Sequence, residues 1–293
     1  MESGDLAAKH FANFIYRRVA RHWHSRWVRW QPDGTLKQAF QAERIFEPTK
    51  TEGGEDAVTM RVIYHYGDER GTVSEGPQCG PWTITEAQHS RGDGMAHPSS
   101  PDSMTTLLLP GGPSAWCMKQ SPEGAPCALE MFLHHTDLFR VSFGVIHAPD
   151  GALQQLSIIR EDTRGPWPRD DWPSTDDARM VSAAELEAAL ASAGAPTATS
   201  GTGAAITASL VQDVITSARW SDVRVANVQV DGSDAVLLCD RFAVVAPRKV
   251  APGQPWRSAA AWWPESGVLY TIEAAWDVQG DLEGIRTLTF RQA

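Results

Sequence analysis

The chain is poor in cysteine, with four in 293 residues, and none stands in a CxxC pair. Cys79, Cys117, Cys127 and Cys239 therefore lack the spacing of a zinc or redox motif. They read as reduced thiols buried as small apolar residues; Cys117 and Cys127, either side of Glu123-Gly124, could face each other across a hairpin. Basic charge is scarce as well: 26 Lys and Arg stand against 36 Asp and Glu, for a net charge of −10. Affinity for nucleic acid comes largely from neutralising phosphates, so no nucleic-acid partner is expected. No apolar run approaches the length of a membrane span, and no integral membrane segment is expected. The start, Met1 to Asp5, lacks a signal-peptide core, and a soluble protein of the cytoplasm or the plastid stroma is expected. There is no Walker loop, no GxGxxG unit between strand and helix, no HExxH and no GxSxG elbow, so no cofactor is expected.

Tyrosine is sparse and tryptophan is not: four Tyr against twelve Trp. Trp carries a large apolar area and a single donor, which suits barrel cores and the walls of ligand cavities. The local basic cluster Arg17, Arg18, Arg21, His22, His24, Arg26 and Arg29 neighbours Phe11, Phe14, Ile15 and Val19. It reads as the solvated face of an amphipathic helix running into a strand.

Short apolar runs broken by Gly, Pro and Asp describe an antiparallel meander. A helix is expected over 5–20. Strands follow at 23–31, 35–46, 60–66, 71–75, 82–89, 105–109, 115–119, 128–134, 141–147 and 152–161, enough for a closed barrel of eight to ten strands. Pro32-Asp33-Gly34 and Pro149-Asp150-Gly151 form hairpin turns, Pro presetting φ and Gly supplying its positive value. After Asp162 the composition shifts. Gly165 to Pro173 is rich in Pro, and Ser182 to Glu185 is a capping box opening a short helix to about residue 192. Residues 193–205 read as a mobile linker. Strand patterning resumes at 219–230, 235–246, 256–263, 267–276 and 284–290, with a further strand to be borrowed from 205–216. The expected organisation is an N-terminal barrel over 1–163, a connector over 164–205 and a smaller C-terminal β domain over 206–293.

Glu130 stands on an apolar strand and Arg140 on the next, a pair expected to meet across the barrel lumen. A buried carboxylate either pairs or shifts its pKa, which is also how a general acid or base is made. Arg160, Glu161 and Asp162 end the last strand of the barrel. Asp93 with His97 reads either as an acid–base couple at the barrel mouth or as an Asx-type turn with a His-Pro kink. Adjacent His134 and His135 point to opposite faces of a strand, and His22/His24, His65 and His147 are equally ambiguous. No metal site is expected.

Several of these residues carry a resemblance. Trp27, entering the first strand behind a helix, sits where lipocalin-like barrels keep a tryptophan, although the preceding Gly of that pattern is Ser25 here. Asp93-Gly94 with His97-Pro98, the turn Leu109 to Gly112 with Trp116, Glu130, Arg140 and Ile159 to Asp162 resemble the first domain of a family of uncharacterised cyanobacterial and algal proteins. Ala246 to Val250, Gly253 to Pro255, Trp262, Leu269, Ile272 and the 277–280 turn resemble its C-terminal segment. Ala275-Trp276 departs from the Arg-x-Tyr-like stretch found there. The resemblance implies an all-β fold of two calycin (lipocalin-like) barrels in tandem and a ligand-binding habit, and it implies no reaction. The S-type phycobilin lyases share the calycin fold, but their sequence pattern is not visible here.

The expected function is binding of a hydrophobic small molecule, of pigment, isoprenoid or tetrapyrrole type, in a barrel cavity. Trp27, Trp82, Trp116, Arg140 and Arg160 are the expected ligand-binding residues, and Glu130, Asp93 and His97 the expected catalytic ones. The alternative is a cofactor-independent isomerase or cyclase acting on a polyene or terpenoid, which holds its substrate in a reactive fold with one acid. A non-catalytic scaffold is the third reading.

Overall fold

The computed structural model describes residues 10–12, 14, 22–66, 74–91, 94–108, 114–121, 123–165, 178–192, 201–209, 213–219 and 234–292. The first half builds one antiparallel sheet of eleven strands. These are β1 His22–Trp30, β2 Leu36–Lys50, β3 Asp56–Tyr66, β4 Ser74–Thr85, β5 Ser90–Arg91, β6 Gly94–His97, β7 Ser100–Leu108, β8 Ser114–Met118, β9 Cys127–Thr136, β10 Phe139–His147 and β11 Leu153–Asp162. Their order, β4-β3-β2-β1-β11-β10-β9-β8-β7-β6-β5, is a meander curled until β1 meets β11. Its free edges, β4 and β5, are joined by the one-turn helix α1, Glu86–His89, so the barrel is nearly closed. Sequence periodicity assigned 86–89 to a strand. Thr85 instead caps the helix, its hydroxyl accepting from Gln88 N–H.

The two hairpin turns read from Pro-Asp-Gly form as expected. Gly151 N–H donates to Ala148 O at 2.8 Å and Ala148 N–H to Ala152 O at 2.8 Å, with Gly151 at φ +80. Asp150 accepts from Ala152 N–H through its side chain at 3.0 Å, and Asp33 does the same for Thr35 N–H at 2.8 Å.

Alternation then sorts side chains by face, because successive strand residues point opposite ways. On β9, Glu130, Phe132 and His134 share the lumen face, and Leu129, Met131 and Leu133 the outer one. On β10, Arg140, Ser142 and Gly144 are inward, and Val141, Phe143 and Val145 outward. Phe11 and Phe14, in the helical stretch of residues 10–12 and 14, join Trp23, Phe46, Val58, Met60, Ile84 and Met95 in one buried cluster. Phe14 meets Phe46 edge-on at 6.1 Å.

The second half forms an eight-stranded sheet from β12 Arg179–Met180, β13 Gly201–Ser209, β14 Asp213–Arg219, β15 Asp234–Cys239, β16 Phe242–Pro247, β17 Trp256–Trp262, β18 Val268–Trp276 and β19 Leu282–Gln292. Residues 201–205, read from sequence as the end of the linker, open β13, which pairs with β19 and β14, the strand to be borrowed from 205–216 being divided between β13 and β14. Their small residues give little periodic signal, and the strand rests on its neighbours. Helix α2, Ala183–Ser192, opens on the expected capping box: Glu185 N–H donates to Ser182 Oγ, and Ser182 N–H to Glu185 Oε2 at 2.8 Å. Leu186 of α2 packs with Val236, Leu238 and Trp263 on one face of this sheet. The other face, with Leu237, Phe242, Val244, Trp256 and Trp276, shares a single core with the outer wall of the barrel. The four cysteines are all reduced thiols, and Cys117 lies opposite Leu129, not Cys127. No helix among the described residues is long and apolar enough to cross a membrane.

Candidate functional site

The barrel lumen carries a line of four alternating charges. At its sealed end Arg140 and Glu161 are both fully buried, with Arg140 Nε donating to Glu161 Oε2 at 2.6 Å. The guanidinium lies 4.1 Å from the centre of the Trp23 ring and 5.0 Å from that of Phe132. Its two terminal nitrogens have no hydrogen-bond acceptor among the described residues, and the aromatic faces receive them instead. Burial pulls the pKa of Arg140 below its ordinary value, against the opposing charge of Glu161.

Arg44 continues the line from β2, where Phe40, Ala42, Arg44 and Phe46 share the inward face. Its Nε lies 2.9 Å from Glu161 Oε1, an ion-pair distance without hydrogen-bond alignment. Its Nη2 donates to Glu130 Oε1. Burial works against the charge of Arg44, but Glu130 and Glu161 outweigh it and hold its pKa above the ordinary value. Ser142 Oγ, on the strand beside Glu130, donates to the same oxygen at 2.9 Å. Glu130 is the end of the line that reaches solvent, its side chain 22% exposed against 3% for Arg44.

Aromatic residues flank this end. Trp27 stacks on Phe40 at 5.7 Å and meets Tyr64 edge-on at 5.6 Å, and Phe40 lies 4.9 Å from Tyr66. Ser25, standing where a glycine was expected, accepts from Trp27 Nε1 at 3.0 Å and donates to Ala42 O at 2.8 Å, fixing the indole. Arg29 rests over Phe40 at 4.7 Å. Another group comprises Trp82, His97 and Trp116, with His97 to Trp116 at 4.7 Å and to Trp82 at 6.2 Å. Trp116 is the register neighbour of Glu130 on β8. Between Glu130 and Ser157 stands Gly144, half-buried and without a side chain to fill the lumen.

His97 is kept neutral. Burial, helped by the charge of Arg44, pushes its pKa down to about 4. Ser99 N–H donates to its Nδ1 at 3.2 Å, which leaves the ring proton on Nε2. Burial also pushes the Tyr64 phenol up to about 12, so Tyr64 stays a donor at neutral pH.

Of the residues singled out from sequence, Glu130, Arg140, Trp27, Trp82, Trp116 and His97 all belong to this barrel interior. The expected Glu130–Arg140 pair does not form: Arg44 takes Glu130, and Glu161 takes Arg140. Arg160 is not part of the group. It sits on the opposite face of β11, where its Nη2 meets Asp240 of the second sheet at 3.2 Å. Asp93 lies outside the described residues, and the partner of His97 Nδ1 is Ser99. Arg44, Ser142, Phe40 and Tyr64 were missed as site residues, and Glu161 was singled out only with Arg160 and Asp162 at the end of the last strand. For Arg44 the signal was present, a lone charge at the third of four alternate positions that are otherwise apolar. A separate cavity of about 590 Å³ opens between loops of the two sheets, with Cys127, His147, Asp150, Lys249 and Trp256 in its wall. It holds none of the lumen's charged groups.

A nearly closed antiparallel barrel with buried, paired charges inside and a second sheet sharing its outer wall defines an all-β two-sheet class of protein. Within that class the chain belongs to the DUF3598 family: the model of that family's N-terminal domain, a domain of unknown function, matches residues 7–166. The crystal structure of a DUF3598 family protein of unknown function from Nostoc punctiforme is similar over 100% of both chains, at 13% identity and a TM-score of 0.60. An S-type phycobiliprotein lyase, CPES from Guillardia theta, aligns over 56% of this chain and 98% of its own, at 11% identity and a TM-score of 0.30. No curated protein matches the chain.

Proposed function

We propose that the first barrel binds a hydrophobic, conjugated small molecule carrying an acidic or carbonyl group, of pigment, isoprenoid or tetrapyrrole type. The observation that carries this reading is the solvent-reaching Glu130–Arg44 pair flanked by aromatic residues. Two buried ion pairs are a poor choice for stability alone, since apolar residues of similar volume often do as well or better. Polar groups that converge in an aromatic-lined recess are the usual makings of a ligand site. Arg29 and His97 Nε2–H would meet the ligand's oxygen atoms, and Trp27, Trp82 and Trp116 its flat apolar body.

The chemistry available beside the Glu130–Arg44 pair is proton transfer. Arg44 and Ser142 both donate hydrogen bonds to the Glu130 carboxylate, and the Nε2–H of neutral His97 would donate a hydrogen bond to a ligand oxygen on which charge develops. An isomerase would move the proton on Glu130 and hold the substrate oxygen with His97.

Titration of tryptophan fluorescence with biliverdin and with all-trans-retinoic acid tests the binding reading, alongside native mass spectrometry. Saturable quenching and a one-to-one complex are expected, and Gly144→Leu, which fills the lumen beside Glu130, is expected to abolish both. Absence of binding for both probes, or equal binding by Gly144→Leu, would overturn it. Turnover that Glu130→Gln removes while binding persists would establish catalysis.

A further inference from the structure

We propose that His22, His24 and Glu43 form a site for a divalent transition metal on the outer wall of the first barrel, with His65 as the residue that positions the carboxylate. His22 and His24 are two apart on β1, so both rings stand on its outward face, and they stack at 4.3 Å with 30° between planes. Glu43 on β2 is the register partner of His24. One ligand atom from each of the three residues lies within 4.8 Å of the others.

The carboxylate is already divided between two imidazoles. Glu43 Oε2 meets His22 Nε2, and Glu43 Oε1 meets His65 Nε2 at 2.7 Å from β3. A cation entering between His22, His24 and Oε2 would leave the His65 contact in place. His65 would then act as the outer partner that fixes the orientation of a ligating group. Two imidazoles and one carboxylate suit zinc, copper or nickel, whereas calcium and magnesium take oxygen donors. Zn–N and Zn–O bonds of about 2.0–2.2 Å require the donors to close together by side-chain rotation. His22, with 47% of its side chain exposed, has the room to make that movement. Three protein ligands also leave a coordination position for water. The site lies on the opposite face of β2 from Arg44, so it is independent of the lumen.

The test is isothermal titration of the tag-free full chain with ZnCl2, together with the visible absorption of the CoCl2 complex. One Zn²⁺ per chain and a Co²⁺ d–d band are expected. His24→Ala and Glu43→Ala should each weaken binding by at least about tenfold and lose the band. His65→Ala should weaken binding by about tenfold while keeping the stoichiometry. Far-UV circular dichroism checks each fold, and His22→Gln, at an exposed position, serves if a buried-side variant unfolds. No zinc heat and no cobalt band in the native chain, or unchanged affinity in His22→Gln and His24→Ala, would overturn the proposal.

Discussion

At the scale of single residues, the lumen is governed by one shared anion. Glu161 lies between Arg140 and Arg44, so neutralising it leaves two buried guanidinium groups facing each other with only Glu130 to balance them. Breaking a buried pair in this way costs about 3–5 kcal/mol. Glu161→Gln is therefore expected to lower the unfolding free energy measured in urea by that amount, whereas Glu130→Gln, at the solvent-reaching end, should cost much less. Equal losses would sink the idea of a graded line. His97 makes a second prediction, through pH. Its folded pKa of about 4 lies below its ordinary 6.5, so between those values the unfolded chain binds the extra proton. Stability is then complete above pH 6.5 and is lost as pH falls toward 4, by up to about 1.4 kcal/mol per unit. The total is about 2–3 kcal/mol after allowing for partial solvent access. His89 and His147 are shifted the same way by burial and add to the slope. Chemical denaturation across that range should show a shallower slope for His97→Asn than for the parent, and identical slopes would remove His97 from the account. Charges on an apolar strand face were legible beforehand at Glu130 and Arg140. Their actual pairing was not, because barrel stagger and curvature bring β2 across to β9, and no local pattern encodes that.

At the scale of elements, punctuation was the most legible part of the chain. Pro-Asp-Gly turns and the Ser182–Glu185 box work through side chains two or three residues from the backbone groups they satisfy, and such short-range logic survives in sequence. The single turn of α1 did not, since four residues are too few to show a helical period. The Pro149–Gly151 turn also ties the barrel to the second half of the chain. Its tip is docked, with Val250 N–H donating to Gly151 O at 2.9 Å and Leu153 N–H to Arg248 O at 2.8 Å. A Cβ at Gly151 would stand 2.0 Å from Val250 O, on top of the strain of φ +80. Gly124 has a similar φ of +73 and open space around it. Gly124→Ala should therefore cost only the conformational term of about 1 kcal/mol, and Gly151→Ala distinctly more. Thermal unfolding of the two variants side by side measures the difference, and matching losses would mean that the docking of the turn contributes nothing.

At the scale of the whole molecule, the two sheets are successive in sequence but not separate in space. Composition places a connector over 164–205 between an N-terminal barrel and a smaller C-terminal β domain, and the family's N-terminal match ends at residue 166, close to the end of β11. Yet the outward residues of that barrel, among them Val28, Trp30, Met131, Phe143 and Ile158, are buried in one cluster with Phe242, Val244, Trp262 and Ile272 of the second sheet. Polar ties cross the same boundary: Trp276 Nε1 donates to Met118 O at 3.0 Å, and Arg160 meets Asp240. Both faces of β8 to β11 are largely buried, but nothing local in the sequence says which partner covers the outer one. Burial of each such aliphatic or aromatic side chain is worth about 1.5–3 kcal/mol, so the barrel alone would expose an apolar wall. A chain ending at residue 165 is accordingly expected to aggregate or to bind a dye for exposed apolar surface. The full chain should unfold in urea as one transition when followed by both tryptophan fluorescence and circular dichroism. A truncated barrel that stays monomeric with dispersed amide resonances would show that the wall closes by itself. The second sheet would then be an attachment, and the lumen site would be complete without it.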